Sequence, residues 1–191
     1  MSSPVVDLLD ALGNAFSRLG LRWYLFGAQA ALLHGAARLT ADVDVTVDAG
    51  DTSVDAVVAA LAACGILPRV SDPVAFAERT RVIPMSDSRS GMAVDLVLAG
   101  PGPEELFFER AEDRVIEGVR IRVASAEDVV TMKLLAGRPK DVDDAVAILA
   151  AQEALDVGLV RETLRVLEQA LARDDLLPEL ERALACARRG P

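Results

Sequence analysis

The chain has 191 residues, 52% hydrophobic and 26% charged, with 13 Gly and 9 Pro, which excludes disordered, collagen-like and low-complexity classes and suits one domain with a helical appendage. Mean hydropathy is +0.30, yet no apolar run approaches the roughly 18 residues that span a bilayer, so no membrane segment is expected. The 20 Lys and Arg against 30 Asp and Glu give a net charge of -10, which opposes wholesale binding along a nucleic-acid backbone.

The first residues carry neither a basic leader nor a long apolar stretch, so a cytoplasmic location is expected. Cys64 and Cys186 stand outside any Cys-x-x-Cys spacing, and with His34 as the single histidine the usual Cys/His zinc sites cannot form. Both thiols are expected to be reduced and buried.

Residues 4–19 place Val5, Leu8, Leu9, Leu12, Phe16 and Leu19 at helical spacing, with Pro4 in the first turn and Gly20 as the stop. Residues 21–26 form a short aromatic strand ending at Gly27, and 28–33 a small apolar helix closed by Gly35, with His34 hydrogen-bonding a carbonyl at its end. Over 42–48 the chain alternates, Val43, Val45 and Val47 on one face and Asp42, Asp44, Thr46 and Asp48 on the other. Asp51, Thr52 and Ser53 offer caps for a helix from Val54 to about Cys64. Residues 79–85 and 93–98 read as an antiparallel hairpin about the polar turn 86–91, with Asp95 in its second strand. After the break at Pro101 and Pro103 come a helix over 104–110 and a small hairpin, 114–116 and 119–123, about Glu117 and Gly118. Ser125 caps a helix through Val129, Met132 and Leu135 that carries Lys133, and helices follow over 142–151, 157–172 and 176–188. The expected class is therefore α+β: a mixed β-sheet core with helices on one side in residues 1–124, then a C-terminal helical bundle in 125–191.

Asp42 and Asp44 leave the same strand face, one residue apart, and Asp95 lies in Val94-Asp95-Leu96-Val97, a run apolar enough for a central strand. A buried unpaired carboxylate there is costly, so something must offset it. If the two strands are neighbours, three carboxylates converge, and Mg²⁺, which takes hard oxygen ligands together with nucleotide phosphates, is the economical counter-ion. The plainer alternatives are the solvent face of an amphipathic strand for Asp42 and Asp44, and a hydrogen-bonded buried carboxylate for Asp95. Gly27, opening a helix from a strand end, gives a phosphate close backbone access, although a tight turn explains it equally well.

Phe26-Gly27-Ala28, Asp42-Val43-Asp44-Val45 and Val94-Asp95-Leu96 together resemble the signature of the DNA polymerase β-like nucleotidyltransferase superfamily. The strings Gly27 to Gly35 and Arg38 to Asp44, with Lys133-Leu134-Leu135-Ala136-Gly137-Arg138-Pro139-Lys140-Asp141, are similar to its AbiEii-type branch, which includes toxins of type IV toxin-antitoxin pairs. The resemblance spans about residues 20–150. It implies a Mg²⁺-dependent transferase of the EC 2.7.7 type that moves NMP from an NTP to an acceptor: tRNA or other RNA, a protein or a small molecule. It further implies a cognate antitoxin as partner. By the same likeness Asp42, Asp44 and Asp95 hold Mg²⁺, with Asp95 helping to deprotonate the acceptor hydroxyl. Lys133 and Arg138 neutralise phosphate charge, Asp141 orients one of these cations, and Gly27 and Ala28 contact the nucleotide, while Arg38 and Thr40, just before the acidic strand, either contact phosphate or bridge to Asp42. Lys140, Asp143 and Asp144 are read as solvated charges in a turn. Ala28 stands where the family has Gly or Ser, which removes a hydroxyl contact, leaves the backbone contacts, and motivates the alternative of an inactive nucleotide-binding or antitoxin-partnered module. Should RNA be the acceptor, Arg69, Arg79, Arg81, Arg89, Arg110, Arg114, Arg120 and Arg122 are the candidates to line one face for it.

Overall fold

The computed structural model describes residues 3–37, 40, 42–100, 102 and 104–189. In chain order the elements are α1 (Pro4–Leu19), β1 (Arg22–Phe26), α2 (Gly27–Leu33), β2 (Val43–Asp48), α3 (Val54–Ala62), β3 (Ile66–Pro68), α4 (Pro73–Thr80) and β4 (Val82–Asp87). There follow β5 (Ala93–Leu98), α5 (Glu104–Arg110), β6 (Glu112–Ile116), β7 (Val119–Val123), α6 (Ala126–Ala136), α7 (Pro139–Ala151), α8 (Val157–Leu171) and α9 (Leu176–Ala187). By internal contacts the chain forms two compact units, one of residues 1–26 and 40–123 and one of 27–39 and 124–191.

The first unit is a seven-stranded mixed sheet in the order β3-β4-β5-β2-β1-β7-β6. β2 runs parallel to β5 and antiparallel to β1, so the acidic strand lies at the sheet's centre. Its alternation decides which face is core. Val43, Val45 and Val47 are fully buried, and α1 packs on that side of the sheet, its Phe16 ring 5.6 Å from Trp23, the residue opposite Val47. Leu8, Leu9, Leu12 and Phe16, at helical spacing on α1, are completely buried as well. At about 1.5–3 kcal/mol per large apolar side chain, such a stripe is what holds a helix to a sheet. The opposite face carries Asp44, Thr46 and Asp48. α5 covers one end of it, with Phe108 edge-on to Tyr24 at 4.9 Å, which accounts for the burial of Thr46.

Two elements differ from the expected pattern. Residues 79 and 80 end a helix instead of starting a strand: the Asp72 side chain caps α4 by accepting from the Ala75 amide at 2.9 Å, and Pro73 occupies the first turn. Arg81 then closes α4 in the left-handed region at φ 59, and β4 begins only at Val82. The short edge strand β3 lies outside the expected elements too. Among the thiols, both are free, but Cys64 is half-buried and Cys186 exposed, because α9 turns Leu180, Ala183 and Leu184 inward instead.

The second unit gathers α2 with α6, α7, α8 and α9. His34 is buried just beyond α2, its Nε2 2.8 Å from the Ala124 carbonyl oxygen, and Gln152 donates to the His34 carbonyl at 3.0 Å. A carbonyl only accepts, so Nε2 carries the proton and this imidazole is structural. Gly35 makes the adjoining turn at φ 113, where an added Cβ would sit 2.5 Å from the Ala151 Cβ. Gly35→Ala is expected to destabilise by about 3 kcal/mol through backbone strain and overpacking together. Urea unfolding measures this, and an unchanged midpoint would contradict it.

Candidate active site

The sheet pairing brings together two of the three expected carboxylates. Asp44 of β2 and Asp95 of β5 are register partners on parallel neighbours, so their side chains leave the same face from backbones about 5 Å apart. Across β2 the partner of Asp44 is Phe26, the last residue of β1. Gly27 follows at φ 67, a left-handed turn that glycine adopts without strain and that lets α2 start directly from the strand end. Asp42 falls one residue before β2 and is exposed, and its amide donates to the Thr40 hydroxyl at 3.2 Å. Arg38 lies outside the described residues. Among those described, no three Asp, Glu, His or Cys side chains are gathered closely enough to hold a metal ion as they stand.

Asp95 departs from the buried carboxylate its apolar neighbours suggest. Its side chain is 46% exposed, because the β5 face it occupies is left open at this end of the sheet, and it is ion-paired with Arg69. Arg69, which the sequence marks only as one arginine among many, is held by main-chain bonds: its amide donates to the Pro84 carbonyl at 2.8 Å and its Nε to the Met85 carbonyl at 2.8 Å. Pro84 is the β4 partner of Asp95, so the guanidinium is anchored across the strand beside it. Asp48, at the far end of β2, is engaged elsewhere: Arg22 bonds it at 2.5 Å and Glu105 at 2.6 Å, and the Arg22 hydrogen bond holds the Asp48 carboxyl below its ordinary pKa.

The donor chemistry around Asp44 and Asp95 fits a hard divalent cation. The groups offered are carboxylate oxygens, neither cysteine belongs to this row, and the one imidazole is committed to Ala124.

In the second unit a tight corner assembles another charged cluster. Gly137 closes α6 at φ 65, Arg138 precedes α7 in an extended conformation, and Pro139 starts the helix. α7 thus begins two residues before Asp141, which places Asp141 and Asp144 on the first turns of a helix rather than in a turn. Lys133 Nζ donates to Asp141 at 3.0 Å and to Asp144 at 2.7 Å, and all three side chains are at most 7% exposed. Arg138, 62% exposed, pairs with Asp141 as well. Asp144 is therefore not a solvated charge; it is the second counter-ion of a buried lysine. Burial alone would raise the Asp141 carboxyl, but hydrogen bonds from Arg138 and Lys133 outweigh it and hold the pKa below the ordinary value.

A carboxyl depressed on folding stabilises the folded state above its unfolded pKa of about 4, and that contribution disappears as pH falls through the lower, folded value. Asp141→Asn is expected to flatten the loss of stability between about pH 5 and pH 3 relative to the parent chain. Urea midpoints at the two pH values measure it; equal losses in both proteins would contradict the assignment.

Several of the arginines considered as an RNA face are tied to local carboxylates or carbonyls: Arg81 to Glu104, Arg89 to Asp87, Arg114 to Glu112, and Arg122 to the Phe108 carbonyl. No described helix is long and apolar enough to cross a membrane.

Several solved structures share this fold. An antigenic nucleotidyltransferase-like protein from Paracoccidioides brasiliensis superposes with a TM-score of 0.57 at 17% identity, over 97% of this chain and 94% of that one. The solution structure of the antibiotic-resistance factor ANT(2'')-Ia gives 0.54 at 16% identity, over 99% and 94%, and ANT(2")-Ia in complex with adenylyl-2"-tobramycin 0.53 at 16%, over 98% of each. At these identities the likeness shows the fold alone, an α+β architecture built on a mixed sheet. A comparison with curated proteins gave no match. Residues 7–186 match the family model described as nucleotidyl transferase AbiEii toxin, type IV TA system. The chain belongs to the AbiEii nucleotidyltransferase family, whose activity is nucleoside monophosphate transfer and whose type of enzyme typically uses divalent metal ions.

Proposed function

We propose that this protein transfers an NMP from an NTP to an acceptor hydroxyl in a Mg²⁺-dependent reaction, as the toxin of a toxin-antitoxin pair. The observation that carries the reading is the shared register of Asp44 and Asp95 on parallel neighbouring strands, directly across from the Phe26-Gly27 strand end.

Asp42, Asp44 and Asp95 would hold the Mg²⁺. When bound there, the ion neutralises charge on the triphosphate and on the leaving pyrophosphate. The chain's own groups do the rest. The backbone at Gly27 and Ala28 and the side chains of Arg38, Thr40 and Arg138 bind the nucleotide, with Asp141 orienting Arg138 and Lys133. Asp95 accepts the proton of the acceptor hydroxyl; that oxygen forms its bond to the α-phosphorus as the bond to the pyrophosphate oxygen breaks, and pyrophosphate leaves. Lys133 acts through the aspartates it holds, since its ammonium is buried between them, and the exposed Arg138 fork is the better phosphate contact.

Net charge -10 and arginines engaged by nearby carboxylates favour an acceptor contacted at one point, not a backbone gripped along a basic face. The test is incubation with each of the four α-labelled NTPs and Mg²⁺, with total RNA, cell protein and an aminoglycoside as separate arms. Label should pass to one acceptor class, and Asp44→Asn should abolish it. Equal labelling by both proteins would overturn the proposal.

A further inference from the structure

Arg69 stands out because its pairing is built for exchange. Its backbone is fixed to Pro84, yet its guanidinium and the Asp95 carboxylate are 39% and 46% exposed. Ion pairs that wet contribute little to stability, and releasing this one forfeits in addition only the Nε bond to Met85. The buried Lys133 pairs are the opposite case, locked by their own burial. Asp44 and Asp95 lie side by side on one face, and two carboxylates so placed need a positive neighbour when no ion is bound. Arg22 is committed to Asp48 and Glu105, and Arg81 to Glu104.

We infer that Arg69 is the resident counter-ion of the carboxylate site: it occupies Asp95 while the site lacks nucleotide, and it passes to the triphosphate when metal and NTP enter. A planar guanidinium grips phosphate oxygens as well as it grips a carboxylate, so its departure is favourable only when the triphosphate is there to receive it. Arg69 therefore opposes the metal in the empty site and supports the nucleotide in the loaded one. This makes metal entry depend on nucleotide and frees Asp95 to take a proton only in the complete complex. The inference rests on the reading of Asp42, Asp44 and Asp95 as the cation site.

Arg69→Gln is expected to move two affinities in opposite directions. Calorimetry with Mn²⁺ alone should show binding about tenfold tighter than in the parent chain, and a non-hydrolysable NTP analogue at saturating Mn²⁺ should bind about tenfold more weakly. A purely structural arginine would weaken both; that result, or unchanged affinities, overturns the inference. Asp44→Asn separates the two levels: if it binds Mn²⁺ as the parent does, the cation site itself is misassigned, whatever Arg69 does. Should Arg69→Gln not fold, the parent chain supplies the answer. Its Arg69 Nε-H resonance should shift when Mg²⁺ and the analogue are added together and far less with Mg²⁺ alone; no shift in either case overturns the inference.

Discussion

Asp44→Asn is expected to lower NMP transfer by about 10²–10³-fold while leaving the unfolding midpoint nearly unchanged. Asn keeps the side-chain volume and one oxygen at a half-buried strand position but removes the charge that a cation and triphosphate require there. The matched control is Asp48→Asn, four residues along the same strand face. Asp48 is bound by Arg22 at the far end of β2, so its loss should cost stability of up to about 1 kcal/mol and leave transfer within a few fold. The contrast between two aspartates of one face ties the effect to place and not to net charge. Similar activity in the two variants would contradict the assignment.

Lys133→Met carries the largest expected effect on stability. The ammonium is the shared partner of Asp141 and Asp144, which are 1% and 5% exposed, and its removal takes from both buried carboxylates the cation that bridges them. Breaking one side of such a network costs about 3–5 kcal/mol, enough to unfold a marginal helical unit. Methionine fills much of the same space, so the loss is electrostatic rather than a cavity. The double variant Lys133→Met with Asp144→Asn should recover part of it, because Asp141 retains Arg138. Chemical denaturation of the three proteins measures the coupling. A stable Lys133→Met chain with weakened NTP binding alone would contradict a structural role for this lysine.

Much of this was legible in the residues because their patterns are local. Valines alternating with acids fix β2 and its buried face, and Pro4 and Gly20 bracket α1. Asp44 and Asp95 are visible as acids on strands, with Asp42 one residue short of β2, whereas which strands are neighbours is a property of the sheet. The parallel pairing of β2 with β5 skips four elements of the chain and leaves no mark on either strand. α4 was legible in principle: Asp72 followed by Pro73 is a helix start, but the apolar spacing of its eight residues is too irregular to carry it. Arg69 and Asp144 were not legible, since both take their meaning from partners 26 and 11 residues away. Nor does anything in residues 27–39 announce that they pack with the C-terminal helices, because a strand, a glycine and a short apolar helix fit either unit.

The most direct measurement is a crystal structure of the protein soaked with Mn²⁺ and a non-hydrolysable NTP analogue, with the metal located by its anomalous signal. An ion is expected within about 2.2 Å of carboxylate oxygens of Asp44 and Asp42, sharing the triphosphate, with Arg69 withdrawn from Asp95. A nucleotide bound with its metal remote from β2 and β5 would contradict it.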